Sequence, residues 1–258
     1  MMNIRIGDRE LGVVLSALLK RQHYTAALNL RKVCGNPRDL LGRYLFGYGH
    51  YPTDVALKRP DGGEISLRAY TRDDIFTINE VFCRHDYPVL PADRVIVDFG
   101  SNIGVSAAYF LTAAPDSFVY LYEPLPTNTQ RLRTNLHGFE ARYELNEVAV
   151  GNMDGQVEFG WEPTGRYGGV GVQSGQYLSV ACIDSNETLQ HIIAVNGRID
   201  VLKIDIEGLE GAIIQRLTPA IATRIDRIYA EHVFTSNPLA ITHDYLQFGS
   251  IARFSRKH

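Results

Sequence analysis

Two stretches of the chain combine acids, glycines and apolar runs at spacings that can hold a small molecule and act on it. In the first, Arg94-Val95-Ile96-Val97 reads as a strand that stops at Asp98, and Gly100, Ser101, Asn102 and Gly104 follow before a helix beginning at about Val105. Glycines at such a point let the backbone turn tightly and approach a ligand. A second apolar run, Phe118 to Tyr122, ends at Glu123-Pro124, where a carboxylate can accept hydrogen bonds from the two hydroxyls of a ribose. The other stretch is Ile199-Asp200-Val201-Leu202-Lys203-Ile204-Asp205-Ile206-Glu207-Gly208. Its alternation sets Lys203, Asp205 and Glu207 on one side of a strand. Asp205 falls at the carboxyl end, where ligands bind in open α/β sheets. A lysine inside such a strand needs a partner, and Asp98 or Glu231 is the expected one.

The glycine pattern is G-x-x-x-G rather than the G-x-G-x-x-G of dinucleotide dehydrogenases, in which a pyrophosphate rests on a helix N-terminus. An acid two residues before the first glycine repels pyrophosphate and favours a cation. S-adenosylmethionine, with its ammonium and sulfonium groups, suits that charge.

The chain has 258 residues, 45% of them hydrophobic, which suits one principal core with a smaller appendage. A formal net charge of -3 argues against a polyanionic partner such as nucleic acid, leaving a local basic patch open. Cys34, Cys83 and Cys182 are widely separated and lack C-x-x-C spacing, so neither a disulfide framework nor a zinc site is expected, and a reducing cytoplasm fits. The apolar stretch Leu11 to Leu19 is too short to span a bilayer and reads as a core-facing helix, with Asp8 and Glu10 as its cap and first turn.

Helical spacing over residues 8 to 46, interrupted at Gly35-Asn36-Pro37, predicts an N-terminal helical cap over 1–50. Residues 51–93 carry a hairpin, Val55–Lys58 with Glu64–Arg68, and a helix capped by Asp73-Asp74 that runs through Phe82. Residues 94–258 alternate strands and helices, the pattern of a parallel sheet covered on both faces. Expected helices are Val105–Ala113, Asn128–Leu136 and Ser185–Val195; expected strands include Tyr143–Val150 and Arg227–Ala230, followed by a helix near Thr242–Phe248 and a short strand at Ile251–Phe254. Residues 155–182 read as an inserted hairpin whose glycine-rich tip, with Trp161 and Tyr167, is either a surface loop or a lid over a substrate.

Taken in order, Val95 to Gly104, Glu123-Pro124, Glu147-Val148-Ala149-Val150-Gly151, Leu202-Lys203-Ile204-Asp205-Ile206-Glu207-Gly208 and Ala230-Glu231-His232 resemble the FkbM family of S-adenosylmethionine-dependent methyltransferases. The resemblance covers about residues 55 to 250. It implies a Rossmann-like class I methyltransferase sheet with helices on both faces and O-methylation of a sugar, polyketide or other small metabolite hydroxyl. It also implies that Asp98, Gly100, Ser101, Asn102 and Gly104 surround the methionine part of the cofactor, Glu123 and Pro124 the ribose, and Glu147, Val148 and Ala149 the adenine edge. Two departures stand out: the first 50 residues lie outside the shared pattern, and the C-terminus looks too short for the usual final antiparallel strand.

Methyl transfer needs alignment of the attacking oxygen with the methyl carbon, and a base for the hydroxyl proton. Asp205, Glu207 and His232 are the candidates for that base, with Lys203 completing the catalytic set; each has a plainer reading, Asp205 as a ligand of the cofactor amino group, Glu207 as a helix cap and His232 as a packed corner. A magnesium ion held by Asp205 with Glu231 or His232 is a further alternative. The competing functions are an RNA or protein methyltransferase and a cofactor-binding module without catalysis; a dehydrogenase lies further off. The expected partner is a small-molecule acceptor, with neither nucleic acid nor membrane, and exposed faces on Leu15, Leu18, Leu28 and Leu41 favour a homodimer.

Overall fold

The computed structural model describes residues 5–6, 9–10, 28–59, 62–162, 168–173 and 175–257. The chain divides into two compact units, Met1–Pro88 and Val89–His258.

In the first unit, β1 (Arg5–Ile6) pairs antiparallel with β2 (Arg9–Glu10), so Glu10 lies in a short ladder rather than in the first turn of a helix. The helix expected over Leu11 to Leu19, with Asp8, Leu15 and Leu18, lies outside the described residues. Residues 28–33 form α1, and α2 (Pro37–Phe46) follows the predicted Gly35-Asn36-Pro37 break. Asn36 Oδ1 accepts from the Asp39 amide at 3.3 Å, Pro37 occupies the first turn, and left-handed Gly47 ends the helix, so both ends are closed by residues suited to them. The hairpin is β3 (Thr53–Lys58) with β4 (Glu64–Ala69), in the register Thr53↔Ala69 to Lys58↔Glu64. The next helix, α3 (Arg72–Ile78), starts one residue before the predicted Asp73-Asp74 cap: Asp74 reaches back to the amides of Tyr70 and Thr71 at 2.7 and 2.8 Å. From Asn79 to Cys83 it widens into a π-turn instead of running on as α-helix.

In the second unit the strands are β5 (Val95–Phe99), β6 (Phe118–Tyr122), β7 (Tyr143–Asn146), β8 (Ala149–Gly151), β9 (Gly155–Trp161), β10 (Gly168–Val170), β11 (Gln176–Asp184), β12 (Ile199–Ile204), β13 (Ile225–Glu231), β14 (His243–Phe248) and β15 (Ile251–Arg256). Seven of them make one sheet in the order β14-β15-β13-β12-β5-β6-β7. β13, β12, β5, β6 and β7 run parallel, and β15 runs antiparallel to both β13 and β14. β5 and β12 are buried along their whole length, as central strands covered on both faces must be. The crossover helix α4 (Val105–Ala113) is buried at all nine positions. The other helices are α5 (Pro126–Asn135), α6 (Ser185–Asn196), α7 (Glu210–Arg216) and α8 (Pro219–Ala222). Val97, Phe99, Leu202, Ile204, Ile213, Ile228 and Phe254 meet in one apolar core.

Several expectations are corrected. Residues 243–248 form a strand, not a helix, because His243 and Tyr245 alternate inward against the core and Gly249, left-handed at φ 63°, turns the chain straight into β15. The final antiparallel strand is therefore present. The predicted strand Tyr143–Val150 is broken at Glu147-Val148, and its second half, β8, joins another sheet. That sheet, β10-β9-β11-β8, is the inserted hairpin enlarged by β10, a strand within the stretch read as a loop tip. It has its own small core of Leu125, Ala149, Phe159, Val180 and Cys182. Gly165 and Tyr167 fall outside the described residues. No helix among the described residues is long and apolar enough to cross a membrane.

Candidate active site

At the carboxyl edge of the parallel strands, the register puts Lys203 opposite Asp98. Lys203 Nζ donates to Asp98 Oδ1 at 2.9 Å and to the Gly100 carbonyl at 3.0 Å, with Asp205 Oδ2 at 3.5 Å. Of the two partners expected for Lys203, Asp98 is the one it meets. Burial pulls the lysine's proton affinity down, but the facing carboxylates of Asp98 and Asp205 outweigh it and hold the pKa above its ordinary value. Lys203 is thus a fixed cation that locks the turn, not a proton acceptor.

Asp98 is fully buried, and its other oxygen accepts from the Ser106 hydroxyl at 2.6 Å. Its negative charge is spent on Lys203. The two carboxylates and one ammonium leave one negative charge at this strand end. Asp205, whose side chain is 27% exposed, is the one of the two acids with an open side.

The turn after β5 is held from three directions. The amides of Gly100 and Ser101 donate to the Tyr122 carbonyl at 3.1 and 3.0 Å, and Ser101 Oγ bridges the Asp98 carbonyl and the Tyr122 amide. Gly100 has φ 83°, and a Cβ there would stand 1.8 Å from the Asp205 carbonyl oxygen, so only glycine lets the β5 and β12 tips approach this closely. Asn102 is left-handed at φ 47°, and its amide donates to Glu123 Oε2 at 2.9 Å. Gly104, at φ 86°, starts α4 close against Leu132.

Glu123, at the tip of β6, also accepts from the Leu125 amide at 3.0 Å and from Asn128 Nδ2 at 3.3 Å. Even so, burial pushes its carboxyl up to about 7. Pro124 beside it is half-buried. Glu147 lies further out, beyond β7, where Arg133 and then the Thr129 hydroxyl hold its carboxyl below the usual range. Val148 is half-buried in the break between β7 and β8, and Ala149 is buried in β8.

β12 ends at Ile204, so the alternation predicted to carry Glu207 alongside Lys203 and Asp205 stops first. Glu207 instead sits in a tight turn at φ 59°. The group that organises this turn is Glu210, whose carboxylate accepts from the Ile206 amide at 3.1 Å and the Gly208 amide at 2.9 Å. These amides precede the helix that Glu210 opens, and no side chain caps its N-terminal residue Leu209. The inserted sheet comes down on the same turn: a Cβ on Gly169 of β10 would meet the Glu207 carbonyl oxygen at 2.6 Å. His232, just past β13, packs its ring on Phe234 with centroids 4.5 Å apart, and its Nε2 lies 2.9 Å from where a Cβ on Gly211 would stand. The residue is half-buried. The magnesium reading is not supported, since no three His, Cys, Asp or Glu side chains among the described residues form a group able to hold a metal ion.

Ser106, Asn128, Glu210 and Gly169 were not singled out from the sequence. The first two lie early in helices that leave the glycine turn and the Glu123 tip, and Glu210 opens the helix after Gly208, so position relative to the motifs was the available signal. Gly169 sat among other glycines with nothing local to distinguish it.

A parallel sheet with an antiparallel final hairpin, a glycine turn after its first strand and an acid after its second define a class I methyltransferase fold. The chain belongs to the methyltransferase FkbM domain family, which it matches over residues 98–238. Among curated proteins it is similar to the AMB antimetabolite synthetase AmbE of Pseudomonas aeruginosa, 31% identical over 105 residues, which are 41% of this chain and 5% of that protein. It is also similar to the 2-O-methyltransferase NoeI of Sinorhizobium fredii, 36% identical over 67 residues, 26% of this chain and 27% of that one. The chain thus spans only a small part of either relative's length. Among solved structures, a methyltransferase FkbM from Methylobacillus flagellatus aligns over 71% of this chain and 54% of its own, at 14% identity and a TM-score of 0.39.

Proposed function

We propose that this protein binds S-adenosylmethionine at the edge formed by Asp98–Gly104, Glu123 and Asp205, and transfers its methyl group to a hydroxyl of a small metabolite such as a sugar. The observation that carries this reading is Glu123. It is a carboxylate with three donors for four lone-pair positions, and burial raises its pKa despite them. A ribose diol offers the donors it lacks. Beside it, the surplus negative charge that opens through Asp205 suits the cofactor's ammonium group. Glu147, Val148 and Ala149 are assigned to the adenine edge through the family resemblance.

When bound, the cofactor would supply an electrophilic methyl group: an aligned acceptor hydroxyl oxygen would bond to the methyl carbon as the carbon–sulfur bond breaks, S-adenosylhomocysteine would be the leaving group, and the hydroxyl proton would pass to a base. Lys203, 3.5 Å away, holds Asp205 in place, and Glu210 fixes the turn that follows. Asp205, Glu207 and His232 are the groups assigned to the acceptor side, where one of them takes the proton. A hydroxyl acceptor is favoured by the similarity to NoeI, a 2-O-methyltransferase.

The test is calorimetric titration of S-adenosylmethionine and S-adenosylhomocysteine into the full chain and its Glu123→Ala variant, followed by methyl transfer from labelled cofactor to panels of sugars, macrolides, RNA and protein. Binding lost in the variant, with label on a small hydroxyl compound, supports the reading. No heat with either compound removes it, label on RNA or protein moves the acceptor to that class, and binding without transfer leaves a cofactor-binding module.

A further inference from the structure

At the opposite edge of the seven-stranded sheet, where β12 and β13 begin and β15 ends, a cavity of about 470 Å³ is lined by Arg198, Thr223, Arg224, Asp226 and Arg256. Its composition is unbalanced: three guanidinium groups face one carboxylate. Asp226 is already shared between Arg256 at 2.9 Å and Arg198 at 3.8 Å. Asp200, beside the cavity, is buried and accepts from Arg198 at 2.9 Å and from the amides of Arg94 and Val95 at 2.7 and 2.9 Å. Even with both acids counted, one positive charge remains. Arg224 is exposed and forms no ion pair with any described residue. The Nε of Arg256 is buried without an acceptor among the described residues. The Thr223 hydroxyl donates to the Pro219 carbonyl at 2.8 Å, Arg256 Nη1 donates to the Thr223 carbonyl at 3.3 Å, and the remaining terminal nitrogens of Arg198 and Arg256 face Asp200 and Asp226, so Arg224 is the guanidinium left for a ligand, with the other two adding positive charge beside it.

We propose that this cavity binds the phosphate group of a phosphorylated small molecule, a monoester or diphosphate. Guanidinium forks match phosphate oxygens two at a time, and the cavity has room for an organic group beside the phosphate. It is a local basic patch on a chain whose net charge is -3. The strands between it and Asp205 set the two sites roughly 20 Å apart, at about 3.3 Å per residue along β12. Phosphate binding here and cofactor binding at the other edge are therefore independent in position.

The experiment titrates inorganic phosphate and pyrophosphate into the full chain by calorimetry, with sodium chloride at matched ionic strength as the control. Wild type is compared with Arg224→Gln, Arg224→Lys and a protein saturated with S-adenosylhomocysteine. The expected result is pyrophosphate binding that chloride does not reproduce. Arg224→Gln, which breaks no ion pair and so should leave the fold intact, weakens binding at least tenfold, and Arg224→Lys weakens it less. Binding persists with the other site filled. Binding equal to that of chloride, unaffected by Arg224→Gln, or abolished by S-adenosylhomocysteine overturns the proposal.

Discussion

Replacing Lys203 by methionine tests the electrostatic frame on which the whole strand edge depends. The substitution keeps the apolar stem but strands Asp98, which is 0% exposed and loses the ammonium 2.9 Å away. Only the Ser106 hydroxyl then remains on that carboxylate. Breaking a buried pair from one side costs about 3–5 kcal/mol, most of it the penalty for a charge left without compensation. A domain the size of unit Val89–His258 loses about 2–4 °C of Tm per kcal/mol, so the midpoint should fall by roughly 10 °C. Adding Asp98→Asn to Lys203→Met should recover at least about 2 kcal/mol, because the stranded charge disappears while the amide still meets Ser106. Asp205→Asn, at a site 27% exposed and 3.5 Å from the ammonium, should cost less than about 1 kcal/mol. Urea melts of the four proteins at pH 7.5 without cofactor measure all of this. If Lys203→Met loses under about 1 kcal/mol, or the double variant is no more stable than the single one, the pair does not carry the load assigned to it.

Other expectations concern the neighbouring groups. With its carboxyl raised to about 7, Glu123 is about half protonated at pH 7, and ribose hydroxyls that donate to the ionised form should release roughly half a proton on cofactor binding. Calorimetry in buffers of different ionisation enthalpy should show this in wild type, and its absence there would sink the ribose assignment. The same raised pKa gives stability that is present below about pH 4.5 and lost as pH rises through about 7, so Glu123→Gln should flatten the fall in stability between pH 5 and 8. Gly100→Ala drives a methyl group into the Asp205 carbonyl and should weaken cofactor binding more than tenfold, read by titration. Glu210→Ala orphans the Ile206 and Gly208 amides, should cost about 1–3 kcal/mol in chemical melts and should lower kcat through the loosened Asp205 turn. Gly169→Val, pressed onto Glu207 by the inserted sheet, should raise the acceptor KM while leaving the cofactor Kd within threefold.

What could be read from the sequence followed from local chemistry, and what could not followed from pairing across the fold. Strand tips, glycine turns and the demand of Lys203 for an acid are written in spacing and in the cost of burying charge, which is why the Asp98 partnership was legible. The consequence of that partnership was not. Asp98 was read as the acid that meets a cationic ligand, yet the lysine that the same reasoning assigned to it cancels its charge and passes the open carboxylate to Asp205. Residues 243–248 show the same limit: a short stretch with Tyr245, Leu246 and Phe248 suits either period, and hydrogen bonding to β15 through a two-residue turn decides for the strand. Glu207 repeats it again, because strand alternation holds only while the ladder does, and the ladder stops at Ile204 where Glu210 takes over the amides. In each case residue type named a need, and only the neighbouring strand or helix determined which group met it. If that holds, exchanging the charges within the pair by Asp98→Lys with Lys203→Asp should restore part of the stability lost in Lys203→Met, read in the same urea melts, but not cofactor binding read by calorimetry, since Asp205 would then follow an acid in β12 and the cation would sit on β5.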